Sequence, residues 1–216
     1  MSRGTHPVGA LTIATAVVAC ALGAAGVAAR QSALPRTLDA TSPITYFIAD
    51  GTGVIGFRPD DRQLAEWAFG AWERSSGKEF RFEVAAESGA LIRLYWAESS
   101  EGLYGEMRPL AVGRKLGAAV YIRPNVNSLG EDIAQIARTD SLLRDTIVYL
   151  TCLHELGHAL GLAHTSDFRD IMYFFGYGGD VVEYFQRYRN GLLFRRDIAA
   201  VAGLSEADVS RLRAMY

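Results

Sequence analysis

Residues 151–173, TCLHELGHALGLAHTSDFRDIMY, constrain this chain more than any other stretch. His154 and His158 stand four apart, so on an α-helix both imidazoles leave one face a turn apart and can meet at one metal ion. Glu155 sits on the flank of that face. Gly161 falls where such a helix has to stop, and glycine can take the left-handed conformation that reverses the chain and brings His164 round as a third nitrogen donor. Three neutral imidazoles leave one position of a tetrahedral site open, which marks a catalytic rather than a structural zinc. Of the 4 histidines in the sequence, only His6 lies outside this stretch. An ordinary helix carrying surface histidines is the plain alternative, and the fixed offsets of the glycine and the third histidine argue against it. Glu155 argues against a closed metal site, which has no use for a carboxylate there.

HELGHALGLAH followed by DIMY resembles the zinc signature and Met-turn of the metzincin metallopeptidases, and within them is most similar to the matrixins, the matrix metalloproteinase type. The resemblance implies an α+β, zincin-like domain: a twisted, mostly parallel five-stranded sheet with an antiparallel edge strand, an active-site helix and a C-terminal helix. It further implies one catalytic Zn2+ held by His154, His158 and His164, with Glu155 as the base that activates water. Met172 would form an apolar floor beneath the metal, and Gly161 would support the turn. Metzincins with an extra tyrosine ligand place it two residues after the methionine, and here that residue is Phe174. Matrixins usually have proline at the same place, so Phe174 is also a departure from their pattern.

The expected activity is that of a zinc metalloendopeptidase acting on extracytoplasmic proteins. A non-catalytic zinc-containing module that docks peptides, and a zinc amidase acting on cell-wall peptides, stay open as alternatives. Because the ligands must be neutral, zinc and activity are expected to fall as pH drops through roughly 6, near the ordinary histidine value. Matrixins often hold calcium; here Ca2+ finds no acidic spacing in its favour.

Residues 1–30 read as an export segment, with Arg3 followed by an unbroken run of small and apolar residues from Val8 to Ala29. Val27-Ala28-Ala29 offers a cleavage site, Val17 to Cys20 resembles a bacterial lipobox with Cys20 lipidated, and the run is long enough to stay as an anchor. Each reading places the remainder outside the cytoplasm, with the membrane touched only through this segment. Residues 31–42 form a polar connector and 43–216 the catalytic domain. The formal charge of −2 gives no reason to expect nucleic acid. Cys20 and Cys152 are the only cysteines, so loss of the leader would leave one thiol and no internal disulfide. Cys152 leaves the helix on another side from the ligands and reads as a small packed hydrophobe.

Ile44–Ala49 is a β-rich run, and Asp61–Ser75 carries Leu64, Trp67, Ala68, Ala71 and Trp72 at the spacing of an amphipathic helix. Phe80, Phe82 and Val84 alternate as in a half-buried strand, and Ala90–Trp96, Leu103–Met107 and Leu116–Ile122 supply three more. By resemblance Leu103–Met107 is the edge strand above the cleft. A protein or peptide substrate would add to it as a further strand, and the chain itself is expected to be a monomer. A short helix is expected at Glu131–Arg138. Asp140 or Ser141 then caps a helix running to about Leu160, with Ile147, Leu150 and Leu153 facing the core. From Phe174 to Gly203 the chain exceeds the usual matrixin loop. Val181, Phe185 and Tyr188 lie there at helical spacing, which favours a short extra helix over a pocket wall. Leu204–Tyr216 closes the chain as a helix, with Ser205 as N-cap and Asp208 three residues on.

Overall fold

Apolar residues recurring every third or fourth position from Leu64 to Trp72 wind into α1 (Asp61–Ser75) in the computed structural model, which describes residues 37–99 and 104–216. The export segment assigned to residues 1–30 lies outside them. The strands are β1 (Ile44–Ile48), β2 (Phe82–Val84), β3 (Ile92–Trp96), β4 (Gly105–Val112) and β5 (Lys115–Ile122). They form one five-stranded sheet in the order β2-β1-β3-β5-β4. β1 runs parallel to β2 and β3, β3 runs parallel to β5, and β4 alone is antiparallel to its neighbour. This is the sheet the motif resemblance implies.

Four further helices follow: α2 (Glu131–Thr139), α3 (Ser141–Ala159), α4 (Val181–Arg189) and α5 (Glu206–Arg213). Along β3, Ile92, Leu94 and Trp96 are buried while the residues between them are half-exposed, the period-two pattern of a strand with one face on the core. That face meets α1 and α3. α3 is apolar nearly all round, with Leu143, Ile147, Val148, Leu150, Leu153 and Leu156 buried, as befits a helix enclosed on every side. The Trp72 indole donates to the Leu153 carbonyl at 2.9 Å, which fixes α1 against the half of α3 that carries the histidines. Cys152 is fully buried, and burial pushes its thiol far up, so it packs as a hydrophobe.

Two expectations need correction. The edge strand does not end at Met107 but continues to Val112, turning into β5 through Gly113, whose φ is +61°. Pro109 is accommodated because an edge strand has a side with no ladder to break. The stretch read as a polar connector up to Ser42 also contributes to the domain. Leu38 is buried, its N–H donates to the Tyr216 hydroxyl at 3.2 Å, and Asp39 pairs with Lys115 at 3.0 Å.

The first half of α3 is anchored by charge. Arg144 is buried, donates to both carboxylate oxygens of buried Asp61, and reaches the carbonyls of Gly56 at 2.7 Å and Pro124 at 3.3 Å. No helix among the described residues is long and apolar enough to cross a membrane.

Candidate metal centre

The Asp140 carboxylate caps α3, accepting from the N–H groups of Leu142 and Leu143, both at 3.0 Å. After nineteen helical residues the chain breaks away at Gly161, which has φ +100°. Only glycine takes that conformation without strain. The reversal is closed by Leu162 N–H donating to the Gly157 carbonyl at 2.9 Å, and it carries His164 back over the helix. Two backbone bonds then lace the histidine segment to the methionine loop: Thr165 N–H to Met172 O at 2.8 Å, and Phe174 N–H to Thr165 O at 3.2 Å.

These contacts bring the three histidines together. His154 Nδ1 donates to Ile171 O at 2.6 Å, and His158 Nδ1 donates to Leu162 O at 2.9 Å, so each ring keeps a bare Nε2 turned inward. The Nε2 atoms of His158 and His164 are 3.1 Å apart, and ligand nitrogens of all three residues lie within 4.8 Å of one another. A tetrahedral zinc with bonds of about 2.0–2.1 Å needs its nitrogens roughly 3.3 Å apart. The His158–His164 pair meets that spacing, and the three rings, all neutral-nitrogen donors of the kind zinc takes, converge with their widest separation still longer than in a bound site. Burial, with a smaller push from His158, lowers the His154 pKa to about 3; burial likewise lowers His158 and His164. The His154 ring is therefore neutral well below pH 7, and burial shifts the other two in the same direction, which weakens the competition of protons for the nitrogens a metal would use.

The support reaches far along the chain. Ile171, whose carbonyl orients His154, donates its own N–H to the buried Asp208 carboxylate at 2.8 Å. Asp208 also closes a capping box with Ser205 at the start of α5. Buried Asp170 accepts from Ser205 Oγ at 2.6 Å and Arg211 Nη2 at 2.7 Å. The methionine loop thus hangs from the last helix. Met172 is fully buried, and its Sδ lies against Gly157 on α3. Phe174 offers no oxygen to a metal; its ring stacks on His164 with centroids 4.8 Å apart and planes inclined by 25°.

Glu155 is 7% exposed, and its carboxylate has no hydrogen-bond partner among the described residues. It lies against β4 at Gly105, where a Cβ would come 2.6 Å from Glu155 Cγ and 2.8 Å from Oε1. Burial raises its pKa to about 8, the Arg123 charge pulling down and Glu106 pushing up more weakly. Glu155 and the histidines open on one cleft of about 320 Å³, walled by Tyr104, Leu150, Thr151, Phe175, Tyr184 and Phe185. Tyr104 stacks on Phe175 with centroids 5.9 Å apart and tilts against Phe185 at 5.7 Å. The 174–203 segment therefore does two things. α4 packs as the helical spacing of Val181, Phe185 and Tyr188 suggests, and Phe185 with Phe175 and Tyr184 walls the cleft.

From sequence, a pocket wall in residues 174–203 ranks second to a helix, and nothing singles out Tyr104 and Gly105, because they meet that segment and Glu155 only in three dimensions. One signal was present: a glycine inside a helix, Gly157, is costly without a packing reason. Residues 39–184 match the family model described as Matrixin, a peptidase family. The match takes in all five strands and the whole histidine cluster, and it ends inside α4.

Proposed function

The chain belongs to the matrixin family of zinc-dependent metallopeptidases, and on that premise we propose that it is an endopeptidase acting outside the cytoplasm on polypeptide laid along β4, with Glu155 as general base. The observation that carries this reading is the placement of Glu155. It is a buried carboxylate without a hydrogen bond among the described residues, facing the same cleft as three converging imidazoles. His154, His158 and His164 would hold the ion. When bound, zinc supplies a Lewis acid that lowers the pKa of water and polarises a peptide carbonyl.

The protein's own residues do the rest. Glu155 takes a proton from the attacking water and passes it to the leaving amine nitrogen as the C–N bond breaks. A carboxyl lifted toward neutrality suits both halves of that transfer, and the charge of a cation beside it works against the lift. The aromatic wall keeps water from the cleft and receives an apolar substrate side chain, and the outer side of β4 receives substrate backbone.

The test is Glu155→Gln. It should keep one zinc per chain by elemental analysis and lose roughly 10²- to 10⁴-fold in hydrolysis of an unfolded protein such as casein. Wild-type turnover in that variant, or a zinc-loaded wild type that cuts no bond in a broad peptide library, would sink the proposal.

A further inference from the structure

The ladder between β4 and β5 decides what β4 offers on its other side. Arg123 N–H donates to Tyr104 O at 3.0 Å, which puts these two residues at a hydrogen-bonded position of the ladder. Such pairs alternate along an antiparallel ladder. Given the register from Gly105↔Ile122 to Val112↔Lys115, Glu106, Arg108, Leu110 and Val112 turn their N–H and C=O groups toward β5. Gly105, Met107, Pro109 and Ala111 turn theirs toward the open edge. β4 is the last strand of the sheet, and no described residue takes up those groups. Gly105 and Met107 line the cleft beside Glu155, whereas Pro109 is exposed beyond it and has no N–H to give.

We propose that Pro109 sets how far a substrate is held along this edge. The inference rests on the endopeptidase reading. Gly105 and Met107 each offer a donor and an acceptor, Pro109 offers an acceptor only, and the ladder a substrate can build is interrupted there. Residues 105 to 109 span about 14 Å at strand rise, so the backbone grip covers only a few substrate residues on that side of the scissile bond. Such an enzyme suits exposed loops and unfolded segments, where a short extended stretch is all that is available. A proline on an open edge also obstructs pairing with a second copy of the chain, and the experiment separates the two roles.

Zinc-loaded Glu155→Gln protein binds fluorescent peptides built on one cleavage-site sequence and lengthened one residue at a time at either end, with Kd read by anisotropy. Affinity should stop rising once the peptide reaches the residue facing Pro109. Adding Pro109→Ala should raise the long-to-short affinity ratio by about 5-fold, the size of one net backbone hydrogen bond. The inference is overturned if affinity in the unaltered edge keeps climbing past that length, if Pro109→Ala shifts all lengths equally, or if it changes only self-association on size-exclusion chromatography. The length series on the unaltered edge tests the idea even if Pro109→Ala folds poorly. Peptides that bind with this length dependence but are never cut by the wild type would sink the endopeptidase reading alone. Peptides that are cut without the dependence would sink this inference alone.

Discussion

The sulfur of Met172 occupies the space that a side chain at Gly157 would need: a Cβ there would lie 2.4 Å from Sδ and 3.1 Å from Trp72 Cζ2. Helix propensity alone favours alanine over glycine by roughly 1 kcal/mol, so packing and propensity oppose each other at this position. Packing should win. Gly157→Ala is expected to lower stability by about 1–3 kcal/mol, the usual cost of overpacking, and to lose zinc to a chelator faster than the wild type. A higher melting temperature in the variant would show that methionine and helix are not in tight contact.

Gly105 makes a comparable prediction about chemistry instead of stability. A methyl group there would push on Glu155 at its Cγ and Oε1, not on the histidines. Gly105→Ala should keep its zinc and lower kcat by about 10-fold or more, the scale of a misplaced general base. Equal losses of zinc and activity would place the damage at the metal centre and refute this account of the glycine.

Acidity should move the metal-free protein in two opposed ways. The unfolded chain protonates its histidines near 6.5, while folded His154 resists until about 3. Stability from burying that neutral ring is whole above 6.5 and drains away as pH falls toward 3. Glu155 has the reverse sense: its folded value near 8 exceeds the usual 4.5, so its contribution is full below 4.5 and is lost as pH rises through 8. The urea midpoint should therefore peak in weakly acidic buffer, and Glu155→Gln should flatten the alkaline limb, which is worth on the order of a few kcal/mol. The same lowering of the histidines moves zinc release below the pH of roughly 6 suggested by the ordinary histidine value. A zinc titration with half-release at 6 or above would contradict the buried, neutral ligand set.

Removing Arg144 should be among the most damaging changes away from the cleft. Arg144→Met strands the Asp61 carboxylate in the interior and should cost about 3–5 kcal/mol. The double change with Asp61→Leu should recover most of that loss, because no uncompensated charge is left. Urea unfolding of the two variants checks both statements, and a mild single variant would mean that water reaches Asp61.

What could be read in advance was local in the chain. The histidine offsets, the glycine stop and the Asp140 cap each depend on neighbours within one or two turns, and all three are realised. The full length of β4 could not be read, because GEMRPLAV mixes charge and proline in a way that only a solvent-facing edge permits. The cleft walls were illegible for another reason. Tyr104 and Phe175 stack across a sequence gap that no periodicity spans. Asp208 shows the limit within a single residue: its capping role follows from Ser205 three positions earlier, but its bond to Ile171 exists only once α5 has docked.

That last bond has a consequence for timing. One residue, Ile171, takes hold of a carboxylate from α5 with its N–H and aims a histidine ring with its C=O. A chain still emerging from a ribosome has the HELGH segment before it has Asp208. Its first ligand ring is unaimed until α5 has been made and has docked, so the fold itself postpones competence beyond the synthesis of the metal-binding segment.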